Sequence, residues 1–175
     1  MRLILGMTVV VGLLLGQVVD GQAVGWRMDG SGVYPGATPP TEWSKDKNVV
    51  WKTELPAWSN GSPVIVGDHL VVTSEPNTVI CLNRKSGKVL WTHSLDDVAD
   101  ADQPRTHKAN GYSSPTPVIA DGNIYALFGT GVAGAVTLEG QRIWAKQFDR
   151  PKHGWGHSAS PILADGKLIV HVTDL

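Results

Sequence analysis

The sequence predicts an all-β chain, a partial β-propeller built from four-stranded antiparallel blades. Three observations predict it. First, one pattern occurs three times: Ser62–Val72 (SPVIVGDHLVV), Thr116–Leu127 (TPVIADGNIYAL) and Ser160–Val170 (SPILADGKLIV). Each copy reads Ser or Thr, then Pro, an apolar triplet, a turn of Gly and Asp, and an apolar return. Second, another sub-motif follows the first two copies, SGKVLW ending at Trp91 and EGQRIW ending at Trp144. Third, Pro63, Pro117 and Pro161 stand 54 and 44 residues apart. Periods of about 40–50 residues with four strands each mark propeller blades. An ordinary β-sandwich with coincidental turns would not repeat two sub-motifs in the same order.

Gly111–Trp144 spells out one blade. Thr116–Ala120 is the apolar first strand. Asp121-Gly122 then turns a hairpin, because a tight primed turn needs positive φ and Asp-Gly tolerates it. Asn123–Phe128 returns and Gly129-Thr130-Gly131 breaks it. Val132–Thr137 follows, Glu139-Gly140 turns, and Gln141–Ala145 closes on Trp144. The preceding blade spans Gly61–Leu95, with turns at Gly67-Asp68, Pro76-Asn77 and Lys85-Ser86-Gly87. The repeated prolines begin strands, where a missing amide N–H does least harm. Asn48–Leu55 (NVVWKTEL) resembles Val89–Leu95 and Ile143–Phe148. It reads as an orphan outer strand that puts Trp51 in the seat of Trp91 and Trp144. Sequence C-terminal to this chain is expected to complete its blade, since sharing a blade between chain ends removes an exposed sheet edge. Residues 48–175 therefore hold about two whole blades, one partial blade and one orphan strand.

Two segments precede the repeats. Residues 1–23 read as a signal peptide: Arg2 is the positive n-region, and Leu3–Leu15 is apolar but short and broken by glycine. Small residues near Gly21 and Ala23 suit cleavage, and an uncleaved anchor is the alternative. Either way the remainder is exported, to the periplasm or outside the cell. Residues 24–47 are rich in Gly, Pro, Ser and Thr and read as an irregular arm over the propeller, pinned by Trp26, Tyr34 and Trp43.

A net charge of −1 offers no basic stripe for phosphates, which argues against a nucleic-acid partner. The lone cysteine, Cys81, sits in an apolar strand and allows no internal disulfide. Asp96–Asn110 starts acidic, ends basic and reads as a solvated insertion on one rim. Its aspartates Asp96, Asp97, Asp100 and Asp102 lack the glycine and terminal glutamate of an EF-hand loop. His153 and His157 are four apart, a zinc spacing on a helix, but Gly154-Trp155-Gly156 between them opposes a helix. Neither group is taken as a metal site.

One constellation stands out. A polar-aromatic segment precedes each proline-led strand: Trp58–Ser62, Asn110–Ser114 and Gly154–Ser158. If that strand is innermost, the three segments ring one mouth of the channel. Trp58, Asn60, Asn110, Tyr112, Ser113, Trp155 and His157 are the candidate rim residues. Aromatic faces beside a few hydrogen-bonding groups suit a ligand or peptide site. The alternative is that these segments only cap the blades, with glycine for the bend and serine for strand-end amides.

At these residues the sequence resembles the quinoprotein-like β-propellers, the family with pyrroloquinoline-quinone-like (PQQ-like) repeats. The resemblance covers residues 48–175. It rests on the Ser/Thr-Pro segments, on Leu82-Asn83 with Ser86-Gly87-Lys88, and on the tryptophan ending each blade. The family's Thr/Ser-Gly-Lys turn before that tryptophan is matched by Ser86-Gly87-Lys88; the second copy departs, with Leu138-Glu139-Gly140-Gln141. Asp29-Gly30-Ser31-Gly32 resembles a leader of exported bacterial members. The resemblance implies two kinds of relative. Some are dehydrogenases holding the quinone and a calcium ion in the channel. Others lack the cofactor and act as binding scaffolds, as does the propeller lipoprotein of the outer-membrane β-barrel assembly machinery. A quinone enzyme would carry adjacent cysteines against the cofactor, and one cysteine cannot form that pair. The expectation is a non-catalytic binding or scaffold module of the bacterial envelope, with an envelope protein or glycan as partner. The alternatives are a PQQ-dependent dehydrogenase, which would need PQQ and calcium, and a glycan-binding propeller.

Overall fold

The computed structural model describes residues 23–100, 102, 105–148, 150–152 and 154–171. The expected signal peptide lies outside them except for Ala23, and His153 lies outside them too. Among the described residues, ten strands form three antiparallel sheets. The first blade is β1 (Val64–Val66), β2 (His69–Ser74), β3 (Thr78–Asn83) and β4 (Val89–Ser94), in that spatial order. The second is β5 (Val118–Ala120), β6 (Asn123–Leu127), β7 (Val132–Thr137) and β8 (Arg142–Gln147), in the same order. A hairpin of β9 (Ile162–Ala164) and β10 (Lys167–Ile169) begins the third copy. The lead strands β1, β5 and β9 are neighbours, which puts them innermost.

Local chemistry sets the hairpins. Asp121 and Gly122 take φ of 49° and 73°, and Asp165 and Gly166 take 49° and 67°. Those paired positive φ values match the twist of the flanking strands. The turn fixes the register, Val118 opposite Tyr125 and Ile119 opposite Ile124. Both blades also carry an irregularity at the same place, between Cys81 and Leu82 and between Ala135 and Val136. A shared irregularity in the third strand supports the reading of the two sheets as copies of one unit.

The core lies between the two blades. Val71, Val79 and Cys81 of the first blade join Ile119, Ile124, Phe128, Val132 and Val136 of the second in one buried cluster. Each such side chain, fully buried, contributes about 1.5–3 kcal/mol. Leu95 packs into the same cluster. A Cβ on Gly134 would come within 2.6 Å of Leu95 Cδ1, so only glycine leaves room there. Polar groups seal one end: Thr130 Oγ1 bonds Asn77 Oδ1 at 2.5 Å, and Asn77 Nδ2 donates to Asp96 Oδ1 at 3.0 Å.

Two devices join neighbouring units, and both use the repeated residues. The Ser62 amide donates to Thr116 Oγ1, and the Thr116 amide donates to Ser160 Oγ, each at 3.0 Å. The hydroxyl residues before Pro117 and Pro161 are thus acceptors for the preceding unit. The second device is the terminal tryptophan. Trp91 Nε1 donates to Leu138 O at 2.8 Å, and its ring covers Gly140, where a Cβ would come within 2.8 Å. Trp51 repeats this on the first blade: Nε1 donates to Arg84 O at 2.9 Å and the ring covers Gly87. Arg84 and Leu138 occupy equivalent places, each just after a third strand.

Three expectations are refined. Asn48–Leu55 is not a strand among the described residues; it carries the tryptophan to its seat without sheet pairing. Asp96–Asn110 is not simply a solvated insertion. It includes a short 3-10 turn at Asp96–Val98 and is tied to β8 by Asp97–Arg142 at 2.7 Å and to the segment after β8 by Asp100–Arg150 at 2.9 Å. Trp26, Tyr34 and Trp43 do not pin the arm, for all three are exposed. Val24 does so, through reciprocal backbone hydrogen bonds with Ile119 of 2.8 and 2.7 Å.

Candidate functional site

The three lead-in segments converge at the inner ends of β1, β5 and β9. Two asparagines link them. Asn60 Oδ1 accepts from Trp58 Nε1 at 2.8 Å, while its Nδ2 donates to Ala109 O at 3.1 Å and Asn110 O at 2.9 Å. Asn110 Nδ2 donates to Trp155 O, and Asn110 Oδ1 accepts from Ser114 Oγ at 2.9 Å. The Asn60 and Gly61 amides both donate to Ser113 O, at 3.0 and 2.9 Å. A continuous polar bridge therefore runs from Trp58 to Trp155. Both indoles remain open to solvent, 60% and 56% exposed. An asparagine suits each position because its amide donates and accepts at once.

The structure sorts the seven candidates. Trp58, Asn60, Asn110 and Trp155 form the open rim. Tyr112 is half-buried, with its amide on Glu75 Oε1 at 2.6 Å and its carbonyl accepting from Gly129 N at 2.6 Å. Ser113 and His157 point away from the opening. Ser113 is buried and its Oγ donates to Thr73 Oγ1 at 2.7 Å, joining the first blade. His157 is buried with its ring stacked on Phe148, centroids 5.7 Å apart. Sequence reasoning missed His107, whose ring lies 4.6 Å from that of Trp155 and whose amide donates to Gly154 O at 2.6 Å. Its signal was the length of the Asp96–Asn110 insertion, since long loops in compact folds often carry function.

Beneath the rim is a cleft of about 570 Å³. Asn60, Ser62, Ser114, Thr116, Ser158 and Ser160 make one wall, and Gly25, Trp26, Met28 and Asp29 of the arm make another. The volume falls within the 300–1,000 Å³ typical of small-ligand sites, about the size of a few residues of extended chain. Asp29 is the wall's carboxylate. The Ser31 hydroxyl, and then its amide at 2.9 Å, hold its carboxyl below the ordinary range.

A quinone with calcium would need a pair of adjacent cysteines and a cluster of free carboxylates. Cys81 is buried in β3 among the interblade core, and desolvation pushes its thiol up to about 11. Asp97 and Asp100 are engaged by Arg142 and Arg150, and Asp96 by Asn77. Among the described residues, no three His, Cys, Asp or Glu side chains come together to hold a metal ion. The described residues do not fit the group. Among them, too, no helix is long and apolar enough to cross a membrane.

Comparison with known proteins agrees with this architecture. A polyvinylalcohol dehydrogenase of Pseudomonas sp is 31% identical over 128 residues, covering 71% of this chain and 19% of that protein. A polyvinylalcohol dehydrogenase of Sphingopyxis is 26% identical over 132 residues, covering 70% and 18%. The chain thus spans about a fifth of the length of these curated relatives. The solved quinohemoprotein alcohol dehydrogenase ADHIIG of Pseudomonas putida HK5 matches with a TM-score of 0.50 at 17% identity, covering 69% of this chain and 17% of that one. At that identity the likeness shows the fold alone. A family model described as outer membrane protein assembly factor BamB matches residues 40–173. With its repeated blades, hydroxyl links and docked tryptophans, this chain belongs to that family of PQQ-like repeat β-propellers.

Proposed function

We propose that this chain supplies blades to a non-catalytic binding propeller of the bacterial envelope, exported by its N-terminal segment, with the channel rim as the docking site. The observation that carries the reading is the bridge from Trp58 through Asn60 and Asn110 to Trp155. It ties Trp58 through its indole N–H and Trp155 through its main-chain carbonyl, and both indoles face solvent. Indoles fixed before binding lose little conformational freedom on contact, so their apolar area goes into affinity. The partner is an extended polypeptide segment of an envelope protein, laid between the two indoles. The family's description as an assembly factor supports this class of partner.

The test is titration of the protein with extended model peptides and with oligosaccharides, beside a Trp58→Ala, Trp155→Ala double variant. The reading predicts peptide binding that the double variant weakens at least about tenfold, given that aromatic hot spots are worth about 2 kcal/mol or more. Equal binding by both proteins removes the rim from consideration. Preference for oligosaccharide, lost in the double variant, converts it to a glycan site.

A second reading is favoured by the two polyvinylalcohol dehydrogenase relatives. In it the chain is a piece of a quinone-dependent dehydrogenase whose cofactor residues lie in other blades. Adding PQQ and calcium to the complete protein decides the matter: stoichiometric bound-quinone absorbance contradicts the scaffold reading.

A further inference from the structure

Ile119 is the middle residue of the three-residue strand β5. It stands opposite Ile124 of β6, yet its N–H and C=O both bond Val24, at 2.7 and 2.8 Å. A strand residue aims both main-chain groups to one side, so Ile119 is where β5 presents an open edge to the channel. Val24 fills that edge in antiparallel fashion. The matching residues of the other units are Ile65 and Leu163, and among the described residues neither carries such a bridge.

The occupant is held at a single bridge, and the chain beyond it is bent back sharply. Gly25 and Met28 pair with each other at 2.8 and 3.0 Å, closing a turn in which Arg27 and Met28 take φ of 58° and 64°. Positive φ at two successive side-chain-bearing residues is strained. Gly25 runs so close to β5 that a Cβ would meet Val118 at 3.3 Å. Val24 packs against the interblade core, so the edge favours an apolar residue paired to Ile119, followed by one with little or no side chain.

We propose that the inner edge of β5 is a strand-acceptor site, occupied in cis by Val24-Gly25 and open to an extended peptide with an apolar-glycine pair once the arm leaves. Addition of a strand to an exposed edge is a general mode of peptide capture, with main-chain bonds giving affinity. The arm is then an internal competitor. The incoming segment enters the same cleft, so the identity of a natural partner rests on the rim reading above, whereas the pairing to Ile119 does not.

The test uses the full chain and a fluorescein-labelled peptide with the sequence of residues 23–30. A Val24→Pro variant loses the N–H that bonds Ile119 O. It should bind the peptide at least about tenfold more tightly than the unmodified protein, the factor that follows when a competitor fills the site about nine-tenths of the time. Exchange of the Ile119 amide should quicken by a similar factor in the same variant, and added peptide should restore its protection. Val24→Ala, which keeps the backbone bonds, should behave as the unmodified protein and shows that the fold is intact. A peptide N-methylated at its valine should not bind. Equal peptide binding by the unmodified and Val24→Pro proteins overturns the proposal, as does full affinity of the N-methylated peptide. Binding that depends on Val24 but survives Trp58→Ala, Trp155→Ala sustains the acceptor edge while sinking the rim.

Discussion

Trp91 and Trp144 end the same sub-motif, one in each blade, and their surroundings differ. Trp91 lies across Gly140 with its indole N–H on Leu138 O at 2.8 Å. Trp144 is 39% exposed, beside a unit of which only β9 and β10 are described. Both sit on outer strands at the same register, opposite Cys81 and Ala135. The strand sequence places the indole, and the next unit's third turn supplies the seat. Trp51 makes the same point from the other side: without sheet pairing of its own, it finds its seat because Gly87 and Arg84 are there. What joins blades is complementarity between an indole and a glycine turn, reinforced by apolar burial.

The comparison can be broken most forcefully at the interface core. Phe128 is fully buried between the blades. Phe128→Ala should cost about 3–5 kcal/mol in denaturant unfolding, whereas Ile162→Ala, at the exposed third copy, should cost about 0.5 kcal/mol or less. Equal costs would mean that the two boundaries are packed alike. Next come the indoles. Trp91→Ala should lose about 2–3 kcal/mol for its half-buried ring and hydrogen bond, and Trp144→Ala should lose less than about 1 kcal/mol. Thermal melts of the two variants measure the gap, and a gap of zero removes the distinction.

A finer contrast sets two glycines with similar backbones against each other. Gly140 and Gly122 have φ of 87° and 73°, but only Gly140 has Trp91 above it. Gly122→Ala should cost about 1 kcal/mol for the left-handed backbone alone. Gly140→Ala should cost about 1 kcal/mol more, because the methyl displaces the ring. The smallest effect concerns the tie between the Asp96–Asn110 loop and β8. The Arg142 guanidinium holds Asp97 below its ordinary value of 3.8. A carboxyl depressed in the folded state adds stability that is fully present above its unfolded pKa and lost as pH falls through the folded one. Asp97→Asn should therefore lower stability at neutral pH by only the small amount an exposed ion pair contributes, and the difference from the unmodified protein should vanish as pH falls below about 4. Loss at neutral pH comparable to that of Trp91→Ala would show the loop tie to be structural in its own right.

Most of the fold was legible because its signals are local. Asp121-Gly122 and Asp165-Gly166 fix their hairpins through two residues each, and alternation fixes the faces. The repeat then supplies the architecture without any long-range inference. Legibility ended where partners are distant in sequence. Nothing around Val24 announces Ile119, and nothing around Ser62 announces that Thr116 would accept its amide. Ser113 and Asn110 lie three residues apart in one lead-in segment, yet one hydroxyl is buried against Thr73 while the other side chain bridges two units on the rim. Sequence marked the segment as polar-aromatic; which side chains faced the channel depended on the path of the neighbouring blade.

The most direct measurement is a double-mutant cycle of Trp91→Ala with Gly140→Ala, read by denaturant unfolding. If the indole rests on the glycine, the added methyl has nothing to displace once the ring is gone. The double variant should then be more stable than the sum of the single losses predicts, by about 1 kcal/mol. Additive losses, within about 0.3 kcal/mol, would show that ring and turn do not meet and would contradict the account of how one blade holds the next.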